Sequence, residues 1–470
     1  MARKFNKILT TAFCFMTAIN ICSQTVRQTP KLVVTIVVDQ LRSDYLQYFS
    51  PTFGEKGFKR LMNNGLVYHN LDFGLTTLDN ASSAATVFTG AYPRTNGITG
   101  NKRYDFEALR ETSILYDYDY IGNYTSDRYS PLALLCSTIT DELKIASSGY
   151  SDVYAIAPDA EEAIISAGKY ADAAFWLDNY SGHWATTTYY KNIPWYIDRY
   201  NTTQSFDTKI DTWTPALSSY NAFPYSRSFS SFRHNFPKGD KDRFLKIKQT
   251  PLINSEVTRL AERFFEYADF GKRGNPDFLA ITYHAGEYTY DSSMGSFNWE
   301  IQDTYYRLDK EIEQLLDLVD RKVGLQNTLI VLSGSGYYDA YSKLPEGYQP
   351  SGEFYPTRCL ALLNMYLAAI YGSGEWTKGF YANQVYLNHK LIEEKSLDRL
   401  EIIRKSADFL VRLSGVQEVV ASEQWLFGDS RQNERFRRAM HKNTSGDLFL
   451  KLQPGWKLVT ENKLVTKNNQ

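Results

Sequence analysis

Cysteine is scarce in this chain, four among 470 residues, and Cys14 and Cys22 both fall in its first apolar stretch. The other two, Cys136 and Cys359, lie inside the apolar runs PLALLCSTI and TRCLALL. That placement suits buried free thiols and excludes a disulfide-stapled fold. A surplus of either charge is also missing: 52 Lys and Arg face 53 Asp and Glu, a formal net charge of −1. So even a balance advertises no nucleic-acid-binding face. Long hydrophobic runs are confined to Ile8–Cys22, which follows Arg3, Lys4 and Lys7 and precedes Ser23 and Gln24. This is the layout of a secretory signal peptide over residues 1–23, and it is too short for a stable membrane span. The residues before Cys22, namely Ile19, Asn20 and Ile21, lack the small side chain expected ahead of a lipidated cysteine. We therefore expect an exported, mildly acidic mature chain that is not transmembrane.

What is present is a globular composition, with 43% hydrophobic and 22% charged residues, which excludes a disordered, collagen-like or coiled-coil chain. Aromatics reach 15%, including 35 Tyr, which suits amphipathic rings around shallow polar pockets. Lys31–Val38 (KLVVTIVV) is a near-continuous apolar run, the pattern of a strand buried on both faces. A helical stretch near Glu55–Asn63, a strand over Gly65–Phe73 and a helix over Ala81–Phe88 closed by Gly90 should follow. Buried strands are expected at Asp152–Ala157, Ala173–Leu177, Asp277–Tyr283 and Thr328–Leu332. Between the last two, Leu308, Ile312, Leu315, Leu316 and Val319 recur at helical spacing within Trp299–Lys322. Strands alternating with helices imply an α/β fold with a largely parallel central sheet flanked by helices. Residues 24–470 read as one domain, with lid insertions at about 190–250 and 340–438. Tyr116, Tyr118, Tyr120, Tyr124 and Tyr129, with Trp176, Trp184, Trp195 and Trp213, are expected to pack a lid onto the core, the alternative being a glycan or peptide groove.

Ligands in a parallel α/β sheet gather at the carboxyl ends of strands, and Asp39 ends the first one. VVDQLRSDYL, TVFTGAYPRTNGITGN, PDFLAITYHAGEYTYD with IQDTYYRLDK, and TLIVLSGSG then follow in that order. SPLALLCSTITDEL, ADAAFWLDNYSGHW, GEWTKGFYANQVYLNHKLIEEK and SGDLFLKLQPGW extend the pattern from about Lys31 to Trp456. Together these resemble the alkaline phosphatase superfamily, in its nucleotide pyrophosphatase/phosphodiesterase-like branch and the bacterial phosphatases with a Thr nucleophile. The resemblance implies an alkaline-phosphatase-like core and a site at the strand ends. There, two zinc ions held by Asp and His activate a Thr or Ser that is transiently phosphorylated.

Residue by residue, the implied site departs from that pattern. Asp39 stands at the strand-end ligand position. The nucleophile region reads NASSAAT, which puts Asn80 where the family has Thr or Ser, and an amide cannot become a phosphoenzyme. Thr76, Thr77, Ser82 and Ser83 lie nearby but read as small polar residues at a helix start. Asn96 replaces a His in TGAYPRTNGITGN, whereas Asn101 remains at the family's phosphoryl-contact position. Glu287 and Asp291 fall where an Asp and a His ligand belong, and Ser335, Gly336 and Tyr337 where an Asp-His-Gly belongs. The clamp positions before AIISAGK become Asp159 and Glu161, which repel phosphate. No spacing among His69, His183, His234, His284, His389 and His441 rebuilds a zinc site. His284 is the one nearest the site in sequence, and we expect it to pack at a strand end.

Two functions stay open at this point. The first is a catalytically inactive pseudophosphatase, kept as a binding or assembly module in a Gram-negative periplasm or outer membrane. No cofactor is then expected. The second is an active metal-dependent phosphomonoesterase or phosphodiesterase rebuilt on Asp39, Asp79, Glu287 and Asp291, hard ligands that suit Mg²⁺ or Ca²⁺ better than Zn²⁺. The family continues beyond its LxPGW strand with a further strand, helix and His, whereas 14 residues follow Trp456 here. An apolar edge or groove left by that segment should be filled by the Lys457–Gln470 tail or by an envelope protein partner.

Overall fold

The computed structural model describes residues 29–69, 71–75, 79–106, 110–191, 193–203, 206, 212–217, 232–286, 299–337, 352–427 and 431–459. Its central sheet has seven strands: β1 (Leu32–Asp39), β2 (Gly122–Asn123), β3 (Val153–Ala157), β4 (Ala173–Leu177), β5 (Trp184–Thr187), β6 (Asp277–His284) and β7 (Thr328–Gly334). They lie side by side in the order β7-β1-β6-β3-β4-β5-β2. The first five in that order run parallel, and the β4–β5 and β5–β2 pairs are antiparallel. Unbroken apolar runs dictate the middle of this order, because a strand flanked by helices on both faces cannot alternate. All eight residues of β6 are buried, and so are seven of the eight in β1.

Helices α1 (Asn80–Thr89), α2 (Ala160–Ala167), α3 (Leu252–Tyr267) and α4 (Trp299–Lys322) cover the sheet. On α4, Leu308, Ile312, Leu315 and Val319 are fully buried, the stripe that helical spacing requires. Gly90 ends α1 in the left-handed region at φ 63°, where its lack of a Cβ removes the steric penalty. The mostly parallel sheet flanked by helices is the architecture expected from the sequence.

Three local expectations need correction. Residues 65–69 and 71–73 form no strand: Leu66, Tyr68 and Leu71 are 80%, 77% and 66% exposed, so β-prone residues there find no partner strand among the described residues. The helix expected from Glu55 begins at Phe58, after Gly57. Cys136 is only half-buried, its Sγ donating to the Thr95 carbonyl, whereas Cys359 is buried. Among the aromatic residues, Trp176, Trp184 and Trp213 are fully buried, while Tyr118 and Trp195 are exposed.

Residues 352–456 contain a hydrophobic cluster of their own. A second sheet, antiparallel in the order β8-β9-β11-β10, is built from β8 (Thr377–Tyr381), β9 (Gln384–Leu387), β10 (Val416–Ala421) and β11 (Leu448–Leu452). Helix α5 (Pro356–Tyr371) buries Cys359, Leu363 and Leu367 in that cluster. Beyond it, Trp456–Leu458 pairs in parallel with Gly352–Phe354. The strand expected over Thr328–Leu332 forms but is not buried: among the described residues β7 is an edge of the central sheet, covered on one side by β1 alone, and its Leu329 and Val331 are 50% and 42% exposed. No helix among the described residues is long and apolar enough to cross a membrane.

Neighbouring leucines on α5 test whether this second cluster is a true core. Leu363 is fully buried and Leu362 is 44% exposed. Leu363→Ala should cost about 2–5 kcal/mol, and Leu362→Ala less than about 0.5 kcal/mol, in urea unfolding followed by tryptophan fluorescence.

Candidate functional site

The carboxyl ends of β7, β1 and β6 meet at Asp39. Parallel register sets Asp39 opposite His284, and the strand hydrogen bonds continue past both, from Ser335 N to the Val38 carbonyl and from Ala285 N to the Asp39 carbonyl. Asp39 is 4% exposed, and each of its carboxylate oxygens faces a protein donor. Ser335 Oγ donates to Oδ1 at 2.6 Å, and His284 Nδ1 lies 3.1 Å from Oδ2. A carboxylate only accepts, so Nδ1 carries the proton of that contact. The imidazole is held in place through its backbone. Buried Asn254 on α3 accepts from His284 N and donates to the His284 carbonyl, both at 2.8 Å. Asp39 and Ser335 are thus brought together as expected, and His284 joins them at the strand end.

Asn80 opens α1, and Asp79 caps it. Asp79 Oδ1 accepts from Ser82 N at 2.9 Å and from Ser82 Oγ at 2.7 Å, while Ser82 Oγ lies 3.2 Å from Asp79 N in return. Such a reciprocal box satisfies donors that a helix start otherwise leaves unpaired. Asp79 Oδ2 accepts from Asn101 N at 2.7 Å, and Asn101 Oδ1 accepts from Ala81 N at 2.8 Å. Asn101 is therefore occupied in part by the helix that carries Asn80. Ser82 and Ser83 are buried, and the Ser82 hydroxyl is held by Asp79. Asn96, fully buried, donates to the Ala91 carbonyl and accepts from Ile98 N, so it braces the turn where the family has a His. Thr76, Thr77, Glu287 and Asp291 lie outside the described residues.

Helix α2 contributes acid where the family has a cationic clamp. Asp159 pairs with Lys248 at 2.9 Å, and Lys248 also donates to Asn179. Glu161 accepts from Ser113 Oγ at 2.8 Å. Glu162, not singled out by the sequence reading, is 2% exposed, and its Oε1 has no hydrogen-bond partner. Burial, and then the nearby charges of Asp39, Asp159 and Glu161, push its carboxyl well above the ordinary range. Burial followed by Asp159 raises Glu161 as well. A signal for Glu162 did exist: EEAIISA sets it on the face of α2 that also carries Ile165 and Ser166, toward the core. Lys248 had none, because its partner is 89 residues away in the chain.

The donor set can be compared with what two zinc ions require. A catalytic zinc takes three nitrogen, sulfur or carboxylate ligands and an open position. Among the described residues no group of three or more His, Cys, Asp or Glu is placed to hold a metal ion. Asp39 faces a hydroxyl and an N–H donor, not an open position, and the described residues do not fit a two-zinc centre.

Comparisons with known proteins agree with the architecture. The family model for type I phosphodiesterase / nucleotide pyrophosphatase matches residues 33–470. A calcium-transporting ATPase of Myroides odoratus is 30% identical over 481 residues, spanning 96% of this chain and 86% of that protein. Alkaline phosphatase PhoV of Synechococcus elongatus is 29% identical over 454 residues, 91% of this chain and 80% of that protein. The crystal structure of wild-type alkaline phosphatase PafA superposes with a TM-score of 0.73 and 25% identity, covering 91% of this chain and 86% of that one. PafA of Elizabethkingia meningoseptica is 28% identical over 404 residues, 78% of this chain and 71% of that protein.

Glu162 gives the site a pH signature. Its folded-state carboxyl titrates above the unfolded one, so its contribution to stability is complete below the unfolded carboxylate range and is lost as pH rises through the folded value. Glu162→Gln keeps the neutral form at every pH. Its advantage over the wild type should be absent at acidic pH and grow to about 1–3 kcal/mol at alkaline pH, read from melting curves across pH. Parallel curves for the two proteins would remove the buried acid from this account.

Proposed function

The chain belongs to the type I phosphodiesterase / nucleotide pyrophosphatase family within the alkaline phosphatase superfamily, and from that premise we propose that it is an exported pseudophosphatase, using the family fold as a binding or assembly module in the cell envelope. One observation carries this reading: the Asp39 carboxylate is spanned by Ser335 Oγ and His284 Nδ1. In an enzyme of this family that carboxylate would face a metal ion. Uncatalysed phosphate-monoester hydrolysis is so slow that enzymes accelerate it up to about 10²¹-fold, largely through preorganised charge and metal ions. Asn80 supplies no hydroxyl to attack. Asp159, paired with Lys248, and Glu161 stand where the family's substrate clamp has cations.

Export is supported by the residues that precede the described chain, Arg3–Ser23, which have the layout of a signal peptide. The half-exposed Leu329 and Val331 on the β7 edge support a partner-binding surface. The names of two relatives favour a second reading, an active metal-dependent phosphomonoesterase or phosphodiesterase. Its rebuilt site would use Asp39, Asp79, Glu287 and Asp291 with Mg²⁺ or Ca²⁺. Against it, both oxygens of Asp79 are committed to Ser82 and Asn101.

Turnover separates the two. Wild type and Asn80→Thr should both hydrolyse p-nitrophenyl phosphate and bis-p-nitrophenyl phosphate at the background rate, with Zn²⁺, Mg²⁺ or Ca²⁺ added, because a hydroxyl without a metal keeps its high pKa. Wild-type turnover that EDTA and Asp39→Ala each abolish would establish the second reading instead.

A further inference from the structure

The hairpin formed by Lys102–Asp105 and Arg110–Ser113 reaches from the central sheet's side to the C-terminal sheet. Tyr104 lies against Tyr381, and Phe106 against Tyr386, with ring centroids 5.8 and 4.6 Å apart. Gly379 on β8 permits the approach, since a Cβ there would stand 2.3 Å from the Phe106 ring. Between hairpin and sheet is a pocket of about 300 Å³ that also borders Asp79 and Asn101. Junctions between packed bodies are favoured places for small-molecule sites.

The pocket lining is mixed in chemistry. Tyr381, Tyr386, Phe449 and Met440 give the lining an aromatic and apolar part, and Lys102 and Arg103 add cations. Lys102 lies 3.6 Å from Glu111, whereas exposed Arg103 makes no ion pair with any described residue. Asp79 is the only acid on the lining, and its oxygens already accept from Ser82 and from Asn101 N. Burial lifts the Tyr381 phenol to about 12, which keeps its hydroxyl a donor at neutral pH. Thr99 and Gln384 add uncharged polar groups. A ring with several hydroxyls and one negative group matches this lining: an apolar ring face for tyrosine, hydroxyls for the amide and threonine, and an anion for the guanidinium.

We propose that this pocket binds an anionic monosaccharide, a single pyranose bearing one phosphate, sulfate or carboxylate, with the anion at Arg103 and Lys102 and the ring against Tyr381. A volume of about 300 Å³ takes one such ring. The proposal rests on the reading of the chain as a binding module and names its ligand class. Binding and turnover are measured separately, so each idea can fail alone.

Calorimetric titration of the full mature chain with glucose 6-phosphate, glucose 6-sulfate, glucuronate, glucose and AMP tests it, with free phosphate assayed alongside. At least one acidic sugar should bind saturably and more weakly as salt rises, while glucose should not. Arg103→Ala should weaken that binding at least about tenfold, as loss of a charge-assisted contact does, and Tyr381→Ala should weaken it too. Arg103 is exposed, so its variant should melt with the wild type, which separates lost binding from lost folding. Absence of saturable binding by all three acidic sugars would overturn the proposal. So would binding that both variants leave unchanged, or glucose binding as tightly as the acids. AMP binding more tightly than every sugar would overturn the assignment to a monosaccharide.

Discussion

At the carboxyl end of β1 a single carboxylate has to be satisfied in a place sealed from water, and the rest of the site is arranged around how that is done. Asp39 is buried by the same apolar strands that make the sheet, so its charge requires partners. Ser335 and His284, each one strand away, supply them. A hydrogen bond to a charged group contributes about 1.5–3 kcal/mol, enough for two such bonds to favour this arrangement where no metal is bound. The parallel register delivers both donors, because β7 and β6 flank β1 and end level with it.

The neighbouring residues follow the same logic of internal satisfaction. Asp79 closes a capping box, Asn101 holds the first turn of α1, and Asn96 braces the turn after it. These side-chain oxygens are bonded to the backbone of their own loops and helix starts. On α2, burial raises the Glu161 and Glu162 carboxyls, and Lys248 offsets Asp159. Held in this way, acids at a buried helix start are tolerable to the fold.

Much of this was legible in the sequence. The runs that became β1, β3, β4 and β6 are apolar because both faces are covered, so their pattern is continuous and hard to mistake, whereas β7 carries a similar run at the sheet edge with no residue fully buried. Asn80 and Asp159 could be located because motifs fix their order along the chain. Contacts across the fold were another matter. The Ser335 to Asp39 bond joins residues 296 apart, and Lys248 meets Asp159 across 89. Such pairings depend on strand order, which periodicity does not encode. The loop after Gly65 misled for the opposite reason, since Leu66, Val67 and Tyr68 have strand propensity but no neighbouring strand to pair with among the described residues.

The proposal that this chain keeps the fold without the metal centre makes a claim about binding more basic than any claim about rate. Metal content of the purified mature protein, measured by elemental analysis after saturation with zinc and gel filtration, tests it most directly. Less than stoichiometric zinc, unchanged in Asp39→Ala, is the result this account predicts. Two tightly held zinc ions per chain, lost on EDTA treatment and in Asp39→Ala, would contradict it.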